Sequence, residues 1–409
     1  MMKKCLMGWT PIKPIDVPKI YHYSNSMLTF KAYQAPLKHL PLIAKKVIYS
    51  YKYRIKKKFH LVEKPHYINF ITTNKCNSRC VMCDIWKIYK IDDNKPKIKD
   101  ELTFSNIEHF FIQNYDFLSH LKNVGLTGGE AFLRPDIADI VLLIHRLYPR
   151  IGLGIQTHGL MPELIRDRIT YILKYFPNFG LAVSMDGVGD MHAKIRGISN
   201  ACEKATRTIR YAKELGVKSI TCGMTLTKEN YHQIPEVKEY VESMGCEFSC
   251  FLAETSDYFY NSTSQYALNA QDLQKISQLL EPMDYHYFMS NLRLRIMGKR
   301  RSSLPCYAGY MQIVIDPYGN IKPCILRPQG TEGDEDVMGN IKQQSLYEIL
   351  YNHKSNALRR KIEKCRCWCQ CEVSTSAIID PVDTVKWFAR HSSQKKEFLK
   401  ILGVKVHKI

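Results

Sequence analysis

Six short apolar runs divide the middle of the chain, and each is followed by a segment of helical periodicity. The runs cover residues 67–72, 122–127, 150–156, 179–185, 217–225 and 247–253. The helical patterns between them, such as Ile137 to Tyr148 and Glu203 to Leu215, are long enough for crossover connections in a parallel sheet. Six β/α units predict an α/β fold with a partial, TIM-like (β/α)6 barrel.

Three cysteines stand directly after the first run. Cys76, Cys80 and Cys83 are spaced Cys-x3-Cys-x2-Cys, at the carboxyl end of a strand, where functional groups collect in barrels of this kind. Three thiolates are one fewer than the four that usually hold a [4Fe–4S] cluster, so one iron would stay open to an outside ligand. The alternatives are a zinc site or three structural thiols.

This motif, with Asn77 after the first cysteine and the tail Asp84-Ile-Trp86, resembles the radical SAM superfamily. The resemblance implies that S-adenosylmethionine (SAM) binds the open iron through its amino and carboxylate groups. An electron from the cluster then cleaves SAM to a 5′-deoxyadenosyl radical, which abstracts hydrogen from the substrate. A reducing electron donor such as ferredoxin or flavodoxin is also implied. Met82 departs from the aromatic residue that many relatives have before the third cysteine.

The resemblance continues at the ends of the next strands. By it, the residues that bind SAM are Gly128, Gly129, Glu130, Thr157, Ser184, Asp186 and Arg196. Ser184 would touch the ribose and Arg196 the carboxylate, which suits its two-pronged donor geometry. The glycines would permit a close approach to the SAM amino group, because a Cβ would block it. His158, where relatives commonly have Asn, is interpreted as a solvated loop residue. No catalytic base is identified.

A second group of cysteines follows the barrel pattern. Cys306 and Cys324 enclose two β runs on either side of the turn at 316–320, and this hairpin predicts that their thiols lie near one another. The layout resembles SPASM and shortened "twitch" domains, which implies one auxiliary iron–sulfur cluster of the [4Fe–4S] type. The expected ligands are Cys306, Cys324, Cys367 and Cys371. Cys365 is the next candidate, and zinc is the rival metal.

The net charge of +20 is concentrated at the two ends of the chain. Residues 1–66 contain fourteen Lys or Arg against two acidic residues, and residues 381–409 contain seven against two. We therefore expect basic ends that are separable from a nearly neutral middle. The predicted units are a basic, partly helical N-terminal extension (1–64), the barrel (65–260), a helical connection (261–304), a small cysteine-rich SPASM/twitch domain (305–375) and a basic C-terminal helix or tail (376–409).

One basic segment has an amphipathic pattern. The apolar positions 40, 43, 47, 51 and 55 fall on one helical face, with lysines mostly elsewhere. This predicts peripheral contact with an anionic membrane through residues 40–58. The alternatives are a helix that packs beside the barrel with a solvated charged face, or an RNA-binding patch. No apolar run is long enough to span a bilayer, and no signal peptide is recognised.

Fourteen cysteines without a secretion signal favour metal binding in a reducing compartment, hence a cytoplasmic protein that is at most peripheral to the inner face of the membrane. The predicted function is that of a radical SAM oxidoreductase or modifying enzyme acting on an unidentified peptide, sugar or lipid-linked substrate. Two alternatives remain, an RNA-modifying radical SAM enzyme and a non-catalytic structural metal-binding protein.

Overall fold

A computed structural model describes most of the chain between residues 40 and 390. The described residues are 40–91, 98–253, 268–284, 286–298, 304–326, 333–363, 365, 370–380 and 382–390. The expectations for residues 1–39, for Cys367 and for the C-terminal tail beyond residue 390 lie outside them.

Nine strands in the described residues form one sheet in the order β6-β5-β4-β3-β2-β1-β7-β8-β9. The strands are β1 (Tyr67–Ile71), β2 (Asn123–Thr127), β3 (Gly152–Thr157), β4 (Gly180–Ser184), β5 (Ser219–Leu226), β6 (Glu247–Leu252), β7 (Gln312–Ile315), β8 (Asn320–Lys322) and β9 (Gly339–Asn340). Strands β1 to β6 pair in parallel with their sequence neighbours. The predicted α/β partial barrel is therefore confirmed. The first and last residues of each predicted run lie within two residues of those of the observed strand.

Fourteen α-helices occur in the described residues. They are α1 (Leu40–Lys58), α2 (Ile88–Ile91), α3 (Phe104–Gln113), α4 (Ile137–Leu147), α5 (Pro162–Leu173), α6 (Asp190–Arg196), α7 (Ala201–Glu214), α8 (Ile234–Ser243), α9 (Ala270–Leu280), α10 (Tyr287–Ile296), α11 (Leu346–Tyr351), α12 (His353–Ile362), α13 (Gln370–Ile379) and α14 (Val382–Arg390). None of these described helices is long and apolar enough to cross a membrane.

The two faces of the barrel strands differ in side-chain size. In β2, Val124 and Leu126 are buried in the main hydrophobic core, and the residues that alternate with them face the barrel interior. The interior positions are small or polar, and include Gly125, Gly154, Ala182, Thr221 and Ser249. Bulky branched side chains fill the interior of closed eight-stranded barrels. The interior side chains of the present barrel are small instead, so the barrel keeps a cavity of about 390 Å³ at each end.

The hairpin that follows the barrel extends the same sheet. Strand β7 pairs in parallel with β1, and β8 returns antiparallel to β7 through the predicted turn. Asp316 closes this turn, because its Oδ1 accepts from the backbone N–H groups of Tyr318 and Asn320, each at 2.9 Å. Ile313 and Ile315 of β7 belong to the barrel's core. The sequence pattern predicts the hairpin but not its junction with β1.

Helix α1 packs against the C-terminal part of the chain through its charged side. Arg54 forms an ion pair with the buried Asp380, and Lys57 Nζ lies 3.3 Å from Glu363 Oε1. Tyr51 and Ile55, which belong to the predicted apolar stripe, are exposed instead. The alternative of a helix packed beside the barrel with a solvated charged face thus holds in part: the helix is packed, Arg54 and Lys57 are in ion pairs, and Lys52 and Lys58 stay exposed.

The packing of α3 generates a stability prediction. Phe111 is fully buried against Phe70 and Tyr148, whereas the next residue, Ile112, is 39% exposed. We expect Phe111→Ala to lower the free energy of unfolding by about 3–5 kcal/mol through cavity formation, and Ile112→Ala to change it by less than about 1 kcal/mol. Urea denaturation followed by circular dichroism measures both. Equal losses in the two variants would contradict this account of the core.

Candidate active site

A cavity at the carboxyl ends of the strands brings the predicted residues together. Cys76, Cys80 and Cys83 all line it. Five of the seven predicted SAM-binding residues line it as well, namely Gly128, Gly129, Thr157, Ser184 and Arg196. The other two, Glu130 and Asp186, are buried behind it. The arrangement is that of a cofactor site built on the ends of four strands.

The cysteines lie on an irregular segment, residues 73–83, which we call the cluster loop. One side of this loop is held by the segment that follows β2. The Gly129 N–H donates to Thr73 O at 2.7 Å, and the Glu130 N–H donates to Lys75 O at 2.8 Å. These bonds satisfy backbone carbonyls that would otherwise lack a partner in secondary structure.

The glycines are required by this close approach. A Cβ on Gly128 would lie 2.6 Å from Thr73 O, and one on Gly129 would lie 2.6 Å from Lys75 O. Both contacts are far shorter than van der Waals separation and involve backbone atoms. The close approach at these glycines, expected for SAM, is thus made in this structure by the cluster loop. A role of the two glycines in SAM binding stays a prediction.

The other side of the cluster loop is held by the end of α6. The Arg79 N–H donates to Arg196 O at 3.0 Å, and the Val81 N–H donates to Ile195 O at 2.9 Å. Gly197 ends the helix with a φ of +63°, and a Cβ there would meet Arg79 O at 2.4 Å. The Arg-Gly pair thus terminates the helix and lets the loop pass against it.

Arg196 joins this backbone contact to a buried ion pair. Its Nη2 lies 2.6 Å from Asp186 Oδ2, and its Nη1 lies 3.4 Å from Cys80 Sγ. Asp186 is held in turn by the Thr225 N–H, which donates to Oδ1 at 2.8 Å. Burial raises the pKa of Asp186, and Arg196 opposes that rise. The Nε of Arg196 is buried without a hydrogen-bond partner among the described residues, which leaves a donor for an anionic ligand in the cavity.

Glu130 and His158 link two strand ends to the cluster loop. The Glu130 carboxylate accepts from Thr157 Oγ1 and from the His158 N–H, each at 2.9 Å. His158 Nδ1 lies 2.9 Å from the Leu160 N–H nitrogen and 3.1 Å from Glu130 Oε2, and its Nε2 lies 2.7 Å from Asn77 Oδ1. Burial lowers the pKa of His158 and favours its neutral form. The interpretation of His158 as a solvated loop residue is wrong.

The three thiols fit an iron–sulfur cluster chemically. Burial raises the pKa of Cys76 to about 12, and it also raises the pKa of Cys83. Iron binds the thiolate, so metal must displace a proton from each buried thiol. Within the described part of the chain, no three Cys, His, Asp or Glu side chains converge as the ligands of a single metal ion would; the three sulfurs instead line one cavity.

Two of the four predicted auxiliary-cluster ligands lie at one small apolar cluster of the SPASM region. Cys324 belongs to a small buried cluster with Ala308, Leu326 and Ile362, and the half-buried Cys306 packs against that cluster. Cys365 follows α12, with its Sγ 3.8 Å from Lys361 O. Cys371 lies in α13, but its side chain is not among those described, and Cys367 lies outside the described residues. The ligand set of the auxiliary cluster therefore stays a prediction.

Two contributions to the site were missed by sequence reasoning. Glu101 Oε1 accepts from the Asn74 N–H at 2.7 Å and from Thr73 Oγ1 at 2.9 Å, and so anchors the start of the cluster loop. Ile325 and Leu326, just after Cys324, line the cavity. No local motif marks these residues. Strand alternation alone could have identified interior residues such as Thr221 and Ser249.

The glycine contacts predict a selective loss of iron. We expect Gly129→Ala to displace the cluster loop, because its Cβ would meet two backbone oxygens at 2.6 and 2.7 Å. After anaerobic reconstitution the variant should hold about four iron atoms per chain fewer, the content of one [4Fe–4S] cluster. Gly180→Ala is the matched control, since its Cβ would have no neighbour closer than 3.8 Å. Full iron content in Gly129→Ala would refute the proposed constraint.

The Arg196–Asp186 pair predicts a pH-dependent loss of stability. Arg196→Gln removes the partner that opposes the burial of Asp186, so the folded-state pKa of Asp186 rises further above its unfolded value. The folded state then binds the extra proton, and the stability deficit grows as the pH rises from about 5.5 to about 8. Loss of one partner of a buried pair costs about 3–5 kcal/mol.

Urea denaturation of cluster-free protein at the two pH values measures this effect. Arg166→Gln is the control, because Arg166 and Asp167 form an exposed pair that contributes at most about 1 kcal/mol. A deficit in Arg196→Gln that shrinks with rising pH would contradict the assignment.

Comparison with known proteins identifies two domains. Residues 70–241 match the family model of the radical SAM superfamily, and residues 306–372 match that of the SPASM iron–sulfur cluster-binding domain. The chain is 22% identical over 298 residues to the antilisterial bacteriocin subtilosin biosynthesis protein AlbA of Bacillus subtilis (strain 168), a match that covers 70% of this chain and 60% of AlbA. It is 23% identical over 307 residues to the sporulation killing factor maturation protein SkfB of the same organism, covering 74% and 68%.

Solved structures share the fold. Streptococcus suis SuiB bound to precursor peptide SuiA superimposes with a TM-score of 0.57 at 18% identity, covering 87% of this chain and 78% of SuiB. Native anSMEcpe with bound AdoMet gives a TM-score of 0.56 at 17% identity, covering 83% and 99%. The predicted cofactors, a [4Fe–4S] cluster with SAM and auxiliary iron–sulfur, follow from the two domains. The chain thus contains a radical SAM domain over residues 70–241, followed by a SPASM iron–sulfur cluster-binding domain over residues 306–372.

Proposed function

We propose that this protein modifies a peptide by radical SAM chemistry. The observation that carries the proposal is the convergence of Cys76, Cys80 and Cys83 with Ser184 and Arg196 around one cavity. A bound [4Fe–4S] cluster with SAM supplies the one-electron chemistry that removes a hydrogen atom from an unactivated carbon. The protein's part is to hold the three thiols, orient SAM and exclude water.

Arg196 and Ser184 are suited to orient SAM. Arg196 Nε is a buried donor without a partner among the described residues, and a guanidinium matches a carboxylate. The Asp186 pair holds the guanidinium in position. The Ser184 hydroxyl lines the same cavity at the end of β4 and can hydrogen-bond a ribose. The SAM-binding roles of Gly128, Gly129, Glu130 and Thr157 belong to the same proposal.

The cavity lining supports an uncharged reacting segment. Among the described residues that line it, Arg196 is the only one with a full charge, and Asp186 pairs with it. The cavity residues on β5 and β6 are small or apolar, for example Thr221, Ser249 and Phe251. Phosphates bind basic side chains, so this lining favours a peptide over RNA.

The shape of the barrel interior supports an extended substrate. The cavity at the amino ends of the strands shares Thr127, Gln156, Ala182, Thr221 and Ile325 with the cavity at the carboxyl ends. The two cavities thus adjoin at these residues, and we propose that an extended segment with small side chains occupies the barrel interior. The names of AlbA and SkfB refer to bacteriocin biosynthesis and to maturation of a killing factor, and SuiB is bound to a precursor peptide. These names support a peptide substrate rather than a sugar or a lipid-linked one.

The auxiliary cluster is proposed to act beside the substrate, in its oxidation or binding. Cys324 lies two residues before Leu326, which lines the cavity, so a cluster held by Cys306, Cys324, Cys367 and Cys371 would adjoin the cavity wall. A ferredoxin or flavodoxin is proposed as the electron donor. Peripheral contact with an anionic membrane through residues 40–58 is also proposed.

The test is SAM cleavage with purified, reconstituted protein. With dithionite and SAM under anaerobic conditions we expect 5′-deoxyadenosine, and its loss to background in Cys76→Ala, Cys80→Ala and Cys83→Ala. Cys202→Ala is the matched control, because Cys202 is a buried barrel cysteine away from the cavity. Cleavage that persists without Cys76, Cys80 or Cys83 would refute the site.

The substrate class is tested separately by mass spectrometry. Short peptides encoded beside the gene are incubated with protein, SAM and reductant, and a mass change that requires Cys83 is expected. Unchanged peptides together with normal SAM cleavage would refute the peptide substrate and leave the radical SAM site standing.

A further inference from the structure

Helix α1 presents an apolar surface to solvent. Ile48, Tyr51, Ile55 and Phe59, which we call the exposed ridge, are each between 54% and 68% exposed. They are spaced three or four residues apart, so they lie along one side of the helix and of the turn that follows it. Single exposed apolar residues are ordinary, but a continuous row of four marks an interaction surface.

The docking of α1 fixes the direction of this ridge. Arg54 pairs with Asp380, and Lys57 pairs with Glu363 and lies 5.0 Å over the Tyr310 ring. Tyr53 makes an edge contact with His66 on the same side. Surface helices usually bury their apolar side against the core. Here the charged side is docked, so the ridge is held outward.

The charge around the ridge selects its partner. At 100° per residue, Lys58 falls on one flank of the ridge and Lys52 on the other, and both are exposed. No acidic residue occurs anywhere in α1. An apolar row flanked by lysines is the pattern of helices that lie in the headgroup region of anionic bilayers. A second copy of the chain packed on this ridge about a twofold axis would bring the same lysines together, which is unfavourable.

We propose that the exposed ridge inserts into an anionic lipid surface, with Lys52 and Lys58 at the level of the headgroups. The inference deepens the proposed membrane contact of residues 40–58 and rests on it. The membrane contact is made by the face of α1 that carries the exposed ridge. The opposite face, with Arg54 and Lys57, stays packed against the rest of the protein. The enzyme would then sit on the membrane with an unaltered barrel.

Flotation of the full-length, reconstituted protein tests the proposal. Wild type should float with vesicles of phosphatidylcholine plus phosphatidylglycerol, and much less with phosphatidylcholine alone or at high salt. The ridge variant Ile48→Asp/Ile55→Asp should reduce the bound fraction about tenfold, and Lys52→Gln/Lys58→Gln should also reduce it. Anaerobic SAM cleavage without vesicles should be unchanged in both, which shows that the variants are folded.

Matched controls lie on the barrel surface. Tyr175→Asp changes another exposed aromatic residue, 62% exposed, and Lys174→Gln/Lys228→Gln removes two exposed lysines. Both should float like wild type. A ridge variant that floats normally would overturn the assigned face while the membrane contact stands. Failure of wild type to float would overturn both. If wild type does not float but forms a dimer, and Ile48→Asp/Ile55→Asp makes it monomeric, the partner of the ridge is a second copy of the chain and not a lipid surface.

Discussion

The geometry of the candidate active site depends on backbone hydrogen bonds that neighbouring segments make to the cluster loop. The peptide groups of this loop do not pair with one another as those of a helix or strand do. Residues 73–80 are neither helix nor strand, so their peptide groups need partners elsewhere. The Gly-Gly-Glu segment supplies them on one side, and the end of α6 supplies them on the other. Both contacts require glycine, because a Cβ at Gly129 or Gly197 would collide with loop carbonyls. The positions of the three sulfurs are thus set by neighbouring main chain as much as by the cysteine spacing itself.

Local signals were sufficient for the strands but not for all of their pairings. The alternation of Val124 and Leu126 with Gly125 and Thr127 is visible in the sequence, and so are the helices between strands. The parallel pairing of β7 with β1 joins residues about 245 positions apart, and nothing local in Gln312–Ile315 specifies it. The same holds at the site. Cysteine spacing is local, whereas the contact of buried His158 with Asn77 and the hydrogen bond from Asn74 to Glu101 join residues far apart in sequence.

The SPASM domain shares a wall with the barrel. Its strand β7 continues the sheet and the core, and Ile325 lines the interior. Glu372 ties this wall to α13, since Oε1 accepts from the Ile325 N–H at 3.3 Å. Tyr318, in the β7–β8 turn, contacts Tyr89 and Asn74 near the cluster loop. A change in the hairpin would therefore reach both the cavity at the carboxyl ends of the strands and the cluster loop.

The placement of α1 follows from the balance between charge pairing and burial. Taking the fully buried Asp380 out of water costs several kcal/mol, and its attraction to the partly exposed Arg54 roughly offsets this. The pair therefore contributes orientation more than stability. Because the oriented helix holds Ile48, Ile55 and Phe59 in solvent, each forgoes about 1.5–3 kcal/mol that full burial would give. This free energy of burial would be gained by any surface that covers the exposed ridge. Because lysines flank the ridge, a negatively charged surface is favoured as the partner.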